Sequence, residues 1–363
     1  MNKLENKIRA LIKQQGPIPL NTFMHMALQD PEDGYYIKQD PLGQSGDFIT
    51  APEISQIFGE MIGLWVADFM LRNPVSAFHL VELGPGRGTL MSDMVRVIKS
   101  SPALAGLADI LHIHLVETSP ALRLAQKSNL DQFSLTPQWH EDFSSLPQAP
   151  CLVIANEFFD ALPIQQFIHR EGSWQERLVA LEGEDLVFTS SSTKASVTFS
   201  APAMNGVSDG DIIEVSPASE QAMTHLCRHI NAFGGGLLAI DYGYVQPALG
   251  DSFQALHKHN HVSPLTHIGD ADLTAHVNFS ALADIARISG LRVWGPETQG
   301  HFLTHLGAET RLHQILAKAP RTSQGQIADA YQRLIAPDQM GHLFKVLAVT
   351  PAGSAAPEGF PRA

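Results

Sequence analysis

The sequence predicts an α/β fold in which a doubly wound, mostly parallel sheet of seven strands carries an N-terminal helical extension and an inserted antiparallel hairpin region. Three observations lead there. The apolar run Phe78–Val81 ends in Glu82, then in Gly84, Gly86 and Gly88 at alternate positions, and a helical pattern follows from Thr89 to Ile98. Further strand-like runs near 111–117, 134–140, 151–155, 236–241, 291–295 and 343–349 alternate with helical patterns at 89–99, 119–127, 218–231 and 279–289. Between 164 and 215 the runs Gln165–His169, Gln175–Leu181 and Asp185–Thr189 are separated by Glu-Gly pairs, which reads as an antiparallel insertion.

Ahead of the core, residues 3–15 and 20–29 read as short helices around Gly16-Pro17. A polar, glycine-containing loop follows, and then one long helix over 53–71, with Ile54, Ile57, Phe58, Met61, Ile62, Trp65, Val66 and Phe69 at helical spacing. Residues 1–75 are thus expected as a helical cap or lid on a core spanning 76–350. Residues 242–278, rich in histidine, read as a long irregular loop inserted in that core. The Ala/Gly/Pro-rich tail 351–363 is expected to be disordered.

At 363 residues and 44% apolar content, the chain can bury a large core. No apolar run approaches the ~20 residues that span a bilayer, so no membrane insertion is expected. The first residues lack a signal-peptide apolar block, and the expected location is a bacterial cytoplasm. A net charge of −13 argues against a nucleic-acid partner and suits a cationic or basic-protein substrate. Cys151 and Cys227 lie in apolar patterns and read as buried packing residues. The histidines His257, His259, His261 and His267 fit no metal-ligand spacing, so no metal site is expected.

The glycine turn brings backbone amides close to a nucleotide-like ligand. Its G-x-G-x-G spacing differs from the G-x-G-x-x-G of dinucleotide enzymes and moves the reading toward S-adenosyl-L-methionine (SAM). Glu117, at the end of the second strand, is placed to accept hydrogen bonds from ribose hydroxyls, or to favour the helix that starts at Pro120. Asp142 and Phe143, after the third strand, are candidates for the adenine, with an ordinary polar loop as the equal alternative. The fourth strand delivers Asn156, Glu157 and Asp160 to the carboxyl edge of the sheet; the acids share a face if a helical turn forms. Two carboxylates there can fix a guanidinium, which stays cationic below pH ~12. Asp47, Phe48 and Thr50 belong to a stretch that either folds over the ligand or enters a helix at Pro52. Tyr242 is a candidate pocket-lining residue, and His276 a base or gate, with a hydrogen-bonded loop histidine as the favoured alternative.

The blocks GDFITAPEISQIFGE (46–60), VELGPGRGTLMSDMVR (81–96), VETSPALRLAQ (116–126), NEFFDALPIQQF (156–167), AIDYGY (239–244), DLTAHVNF (272–279) and MGHLFKVL (340–347) run in order along nearly the whole chain. They resemble the MidA-like SAM-dependent methyltransferases, whose mitochondrial members are complex I assembly factors. The resemblance implies a class I methyltransferase fold, which is Rossmann-like, with SAM held by Gly84, Gly86, Gly88 and Glu117, beside the further cofactor candidate Glu82, and an acceptor near Glu157 and Asp160. It also implies an arginine-containing protein acceptor, symmetric dimethylation of a complex I subunit among the mitochondrial members, and leaves a homodimer open. Two other functions stay in view: an assembly module that keeps the fold, and a nicotinamide-dependent oxidoreductase, against which the glycine spacing speaks.

Overall fold

The computed structural model describes residues 2–38, 50–195 and 206–361. Its chain divides into two compact units: Met1–Phe48, Phe159–Ala222 and Tyr244–Ser280 form one, and Ile49–Phe158, Met223–Gly243 and Ala281–Ala363 form the other.

The second unit holds the main sheet. Its strands are β1 (Phe78–Leu83), β2 (Leu111–Val116), β3 (Gln138–His140), β4 (Cys151–Asn156), β5 (Gly235–Tyr244), β6 (Arg292–Thr298) and β7 (Phe344–Thr350). They lie in the order β6-β7-β5-β4-β1-β2-β3. β1 pairs in parallel with β2 and β4, and β5 in parallel with β4. β7 runs antiparallel to both β5 and β6. A sheet covered on both faces needs strands that are apolar throughout rather than alternating. Every residue of β4 and of β7 is accordingly buried. The strand order reverses between β1 and β4, which opens a crevice beyond their carboxyl ends.

Helix α1 (Gln56–Arg72) buries Ile57, Phe58, Met61, Ile62, Trp65, Val66 and Phe69. The single helix expected over 53–71 is two: Ala51–Ile54 and α1, broken at the extended Ser55, whose hydroxyl accepts the Ile57 N–H at 3.3 Å and caps the second piece. Helix α2 (Thr89–Ser100) follows the glycine turn, and α3 (Pro120–Asp131) follows β2 with Ser119 as its N-cap.

The expected cap through residue 75 is corrected: the division falls after Phe48, and α1 belongs with the main sheet. The tail is corrected as well. Phe360 is buried and packs on Phe302 with ring centroids 5.3 Å apart, and the Glu358 carbonyl accepts the Trp65 indole N–H at 3.1 Å.

The first unit joins the N-terminal helices to both insertions. Strands Gln165–Arg170, Ser173–Glu182, Asp185–Lys194 and Ile212–Val215 form an antiparallel sheet, completed by Ile18–Pro19 against the second of them. Leu4, Ile8, Phe23 and Met24 pack with Ile164, Val179, Phe253 and Leu273 in one core. The stretch expected to be irregular at 242–278 contains a three-stranded sheet of Gln254–His257, Asn260–Val262 and Asp272–Thr274.

Candidate active site

The crevice between β1 and β4 is lined from β1 by the turn that the glycines build. Gly84, Gly86 and Gly88 have φ of +58°, +53° and +79°, a region that side chains disfavour. The Gly88 N–H closes the turn on the Pro85 carbonyl at 2.7 Å. A Cβ on Gly84 would stand 3.4 Å from the Phe158 ring, and one on Gly88 would stand 3.3 Å from the Gln126 Cα. Below the turn, Glu82 is 3% exposed and its Oε2 has no hydrogen-bond partner. Burial pushes its carboxyl well above the usual carboxylate range, opposed only by the Met91 backbone amide.

Glu117 sits just past β2 and is buried. Its Oε1 accepts the Ser119 N–H at 2.8 Å and its Oε2 accepts from Gln126 Nε2 at 3.1 Å. Burial raises its carboxyl, and these two bonds pull the other way. Arg123 donates to the Glu117 backbone carbonyl at 2.8 Å through Nε, so the residue is held from main chain and side chain alike. Gln126 also donates to the Gly86 carbonyl at 2.7 Å and accepts the Trp139 indole N–H at 2.7 Å. Nothing in a linear reading singled out Gln126 or Trp139. The only available signal was that Gln126 is a polar residue on the buried stripe of α3, beside Leu122 and Leu130.

Asp142 is exposed and caps a short turn; its Oδ1 accepts the Ser144 hydroxyl at 2.5 Å and the Ser144 N–H at 2.7 Å, which in that order lower its carboxyl. Phe143 is half-buried, edge-on to Phe158 at 6.2 Å between ring centroids and tilted against His225 at 6.0 Å. Phe158 therefore links the glycine turn to Phe143.

At the end of β4, Asn156 is 9% exposed and its Oδ1 has no hydrogen-bond partner. Glu157 is half-buried, with φ of +49°. A left-handed non-glycine residue costs about 1–2 kcal/mol and persists only where its surroundings impose it. Here the Glu157 N–H donates to the Ile240 carbonyl at 2.9 Å, while its Oε1 accepts the Ala51 N–H at 3.1 Å and an Asn156 Nδ2 hydrogen at 3.4 Å. The helical turn expected to align Glu157 with Asp160 does not form. Glu157 is left-handed, and the chain passes into the other compact unit at Phe159. In that unit Asp160 is buried, its carbonyl accepts the Ala275 N–H at 3.1 Å, and its charge helps to raise the buried Tyr36 hydroxyl, after burial itself and Asp272.

Thr50 is the N-cap of the Ala51–Ile54 helix, with Pro52 in its first turn; Asp47 and Phe48 lie outside the described residues. Tyr242 is 3% exposed within the main core, edge-on to Phe344 at 5.4 Å. His276 is half-buried, and its N–H donates to Ser252 Oγ at 2.9 Å. His257 stacks on His267 with centroids 4.4 Å apart, and no group of metal-ligating residues occurs among the described residues. Cys151 and Cys227 are buried, their thiols pushed up to about 12 and about 11 by desolvation.

Chemically, one side of the crevice offers a glycine-lined turn beside a fixed carboxylate, and the other offers an amide oxygen and a second carboxylate. The model of a family described as an S-adenosyl-L-methionine-dependent methyltransferase matches residues 61–297. The chain is 37% identical to the mitochondrial protein arginine methyltransferase NDUFAF7 homolog of Drosophila melanogaster, over 97% of this chain and 86% of that one. It is 34% identical to the mitochondrial protein arginine methyltransferase NDUFAF7 of Homo sapiens, over 94% of this chain and 81% of that one. A crystal structure from Burkholderia thailandensis bound to S-adenosyl-homocysteine superposes with a TM-score of 0.82 at 25% identity, covering 98% of this chain and 94% of that one. A second structure from the same organism gives 0.79 at 26% identity, covering 99% and 94%. The nicotinamide alternative is set aside, and the chain belongs to this family of SAM-dependent methyltransferases.

Proposed function

We propose that this methyltransferase acts on an arginine side chain of a protein, with SAM across the carboxyl ends of β1 and β2 and the acceptor at the end of β4. The residues fit the cofactor. Glu117 is an ionisable acceptor at the strand end where ribose hydroxyls are received. Gly84, Gly86 and Gly88 hold the left-handed backbone that shapes the turn, and Glu82 carries an unpartnered buried oxygen that an ammonium group satisfies. Asp142 and Phe143 complete the adenine side. When bound, SAM supplies an electrophilic methyl group on its sulfonium.

The protein's own contribution is position, because an in-line displacement gains most from holding its partners aligned. A guanidinium offers five N–H donors in a rigid plane. Asn156 Oδ1 accepts one, and the Glu157 carboxylate fixes the charge and turns one nitrogen toward the crevice. Asp160 is the second acid of the same segment. The observation that carries this reading is the pair Asn156–Glu157 at the switch point: a buried amide oxygen without a partner beside an acid held in a strained backbone. The names of the curated relatives support arginine in a protein as the acceptor, and the resemblance extends it to a subunit of respiratory complex I.

The test uses the full chain, methyl-labelled SAM and arginine-containing protein, with S-adenosyl-homocysteine (SAH) binding measured by calorimetry. Glu157→Gln keeps SAH affinity and loses transfer by about hundredfold. Asn156→Ala behaves in the same way, to a smaller extent. Transfer at the wild-type rate by Glu157→Gln refutes the assignment.

A further inference from the structure

Gln126 is fully buried on α3, between the two halves of the cofactor site. A primary amide has two N–H donors and one carbonyl. Gln126 spends one donor on the Gly86 carbonyl at 2.7 Å, at the heart of the glycine turn, and the other on Glu117 Oε2 at 3.1 Å. Its carbonyl takes the Trp139 indole N–H at 2.7 Å. Indole only donates, so it dictates which end of the amide is oxygen. A flipped amide would set two donors against each other at Trp139 and two oxygens against each other at Glu117 and Gly86. Trp139, on β3, therefore locks the amide in the one orientation that ties Gly86 to Glu117. The contact extends to the backbone, where a Cβ on Gly88 would stand 3.3 Å from the Gln126 Cα.

We propose that Gln126 is a positioning residue for the methyl donor: locked by Trp139, it fixes the glycine turn and the Glu117 carboxylate to each other, so that both halves of the cofactor site stand preassembled before ligand arrives. The inference rests on the reading that Glu117 receives the ribose. The donor hydrogen on Oε2 also helps a buried carboxyl to stay ionised against its desolvation. A residue that merely fills space on α3 does neither.

The experiment is calorimetric titration of the full-length protein with SAH at about pH 8 and about pH 6, alongside the melting temperature without ligand. Gln126→Glu keeps the acceptor for Trp139 but replaces the donors toward Glu117 and Gly86 with a carboxylate. It is expected to weaken SAH binding at least about tenfold at the higher pH, since hydrogen bonds to charged groups are of that order, and to regain much of the loss at the lower pH as the two carboxyls share a proton. A pH-independent loss that follows the melting temperature overturns the proposal, because packing alone produces it. Wild-type affinity at both pH values overturns it as well. Glu117→Ala separates the two layers: if it binds SAH as wild type does, the ribose assignment itself falls. If Gln126→Glu does not fold, Trp139→Phe decides, since it removes the indole donor and keeps an aromatic ring. A loss of about threefold or more supports the proposal, and unchanged affinity overturns it.

Discussion

Two carboxylates in the main-sheet unit are buried to the same degree and behave oppositely. Glu60, on α1, is 2% exposed, and Glu82, on β1, is 3% exposed. Glu60 accepts from Arg311 Nε at 2.6 Å, Arg96 Nη1 at 2.8 Å and Gln56 Nε2 at 2.7 Å. Desolvation is the largest single influence and raises its carboxyl, yet the three donors together bring it down to about 2. Glu82 has the Met91 amide and an oxygen without a partner, and burial pushes it well up. The difference teaches how to tell architecture from site in this fold. Where the chain satisfies its own buried charge, it is joining helices. Where it leaves a buried oxygen unanswered at Glu82 and Asn156, the proposed ligand site stands.

The largest effect expected from that contrast is at Glu60. Glu60→Ala removes the ion-pair partner of Arg311 and one of the two carboxylates of Arg96, which keeps Asp93; both arginines are about a third exposed, so the cost is about 2–3 kcal/mol rather than that of a fully buried pair. The melting temperature falls by about 3–4 °C, while SAH affinity of the folded protein is unchanged. Glu82→Gln does the reverse. It preserves shape and an acceptor for Met91, leaves the ligand-free protein at least as stable, and weakens SAH binding by about tenfold because the ammonium loses its counter-charge. A calorimetric comparison of the two variants that found the same pattern in both would break the distinction.

Acid titration sharpens it. Glu60 has a folded value of about 2 against 4.5, so its contribution is complete above about pH 4.5 and is lost as pH falls toward 2. His114 bridges His79 and His140 on the same sheet at 2.9 and 3.0 Å, and burial lowers it from 6.5 to about 4. The fold prefers its neutral form, so stability also declines from pH 6.5 toward 4. Glu82 runs the other way: its raised folded value makes stability greatest below 4.5 and diminishes it as pH climbs through that value. Urea midpoints across pH should show Glu60→Gln flattening only the most acid limb, and Glu82→Gln flattening only the rise-linked loss. The smallest effect is Gly84→Ala, about 1 kcal/mol for a φ of +58° against Phe158, visible as a drop of about 1 °C in melting temperature.

Much of this architecture was readable in the chain because a doubly covered sheet leaves continuous apolar runs, as in Cys151–Asn156. The candidate site was readable as a set of strand ends. The helices Gln299–His305, Ala308–Leu316 and Arg321–Ile335 were not, since the last two bury only Ala308 and Leu312, and Tyr331 and Leu334, too few to draw a stripe. The sheet within 242–278 escaped because its strands are three or four residues long. The left-handed Glu157 has no local signal, as its conformation is imposed by Ile240 and Ala51 from distant segments. Gln126 was invisible for the same reason: its role exists only once Gly86, Glu117 and Trp139 are brought together.

A crystal structure of this protein with SAH tests the central claim most directly. The account predicts ribose hydroxyls on the Glu117 carboxylate, the thioether sulfur facing Asn156 and Glu157, and the ammonium group satisfying Glu82. A ligand seated elsewhere, with Glu117 touching none of it, contradicts the account.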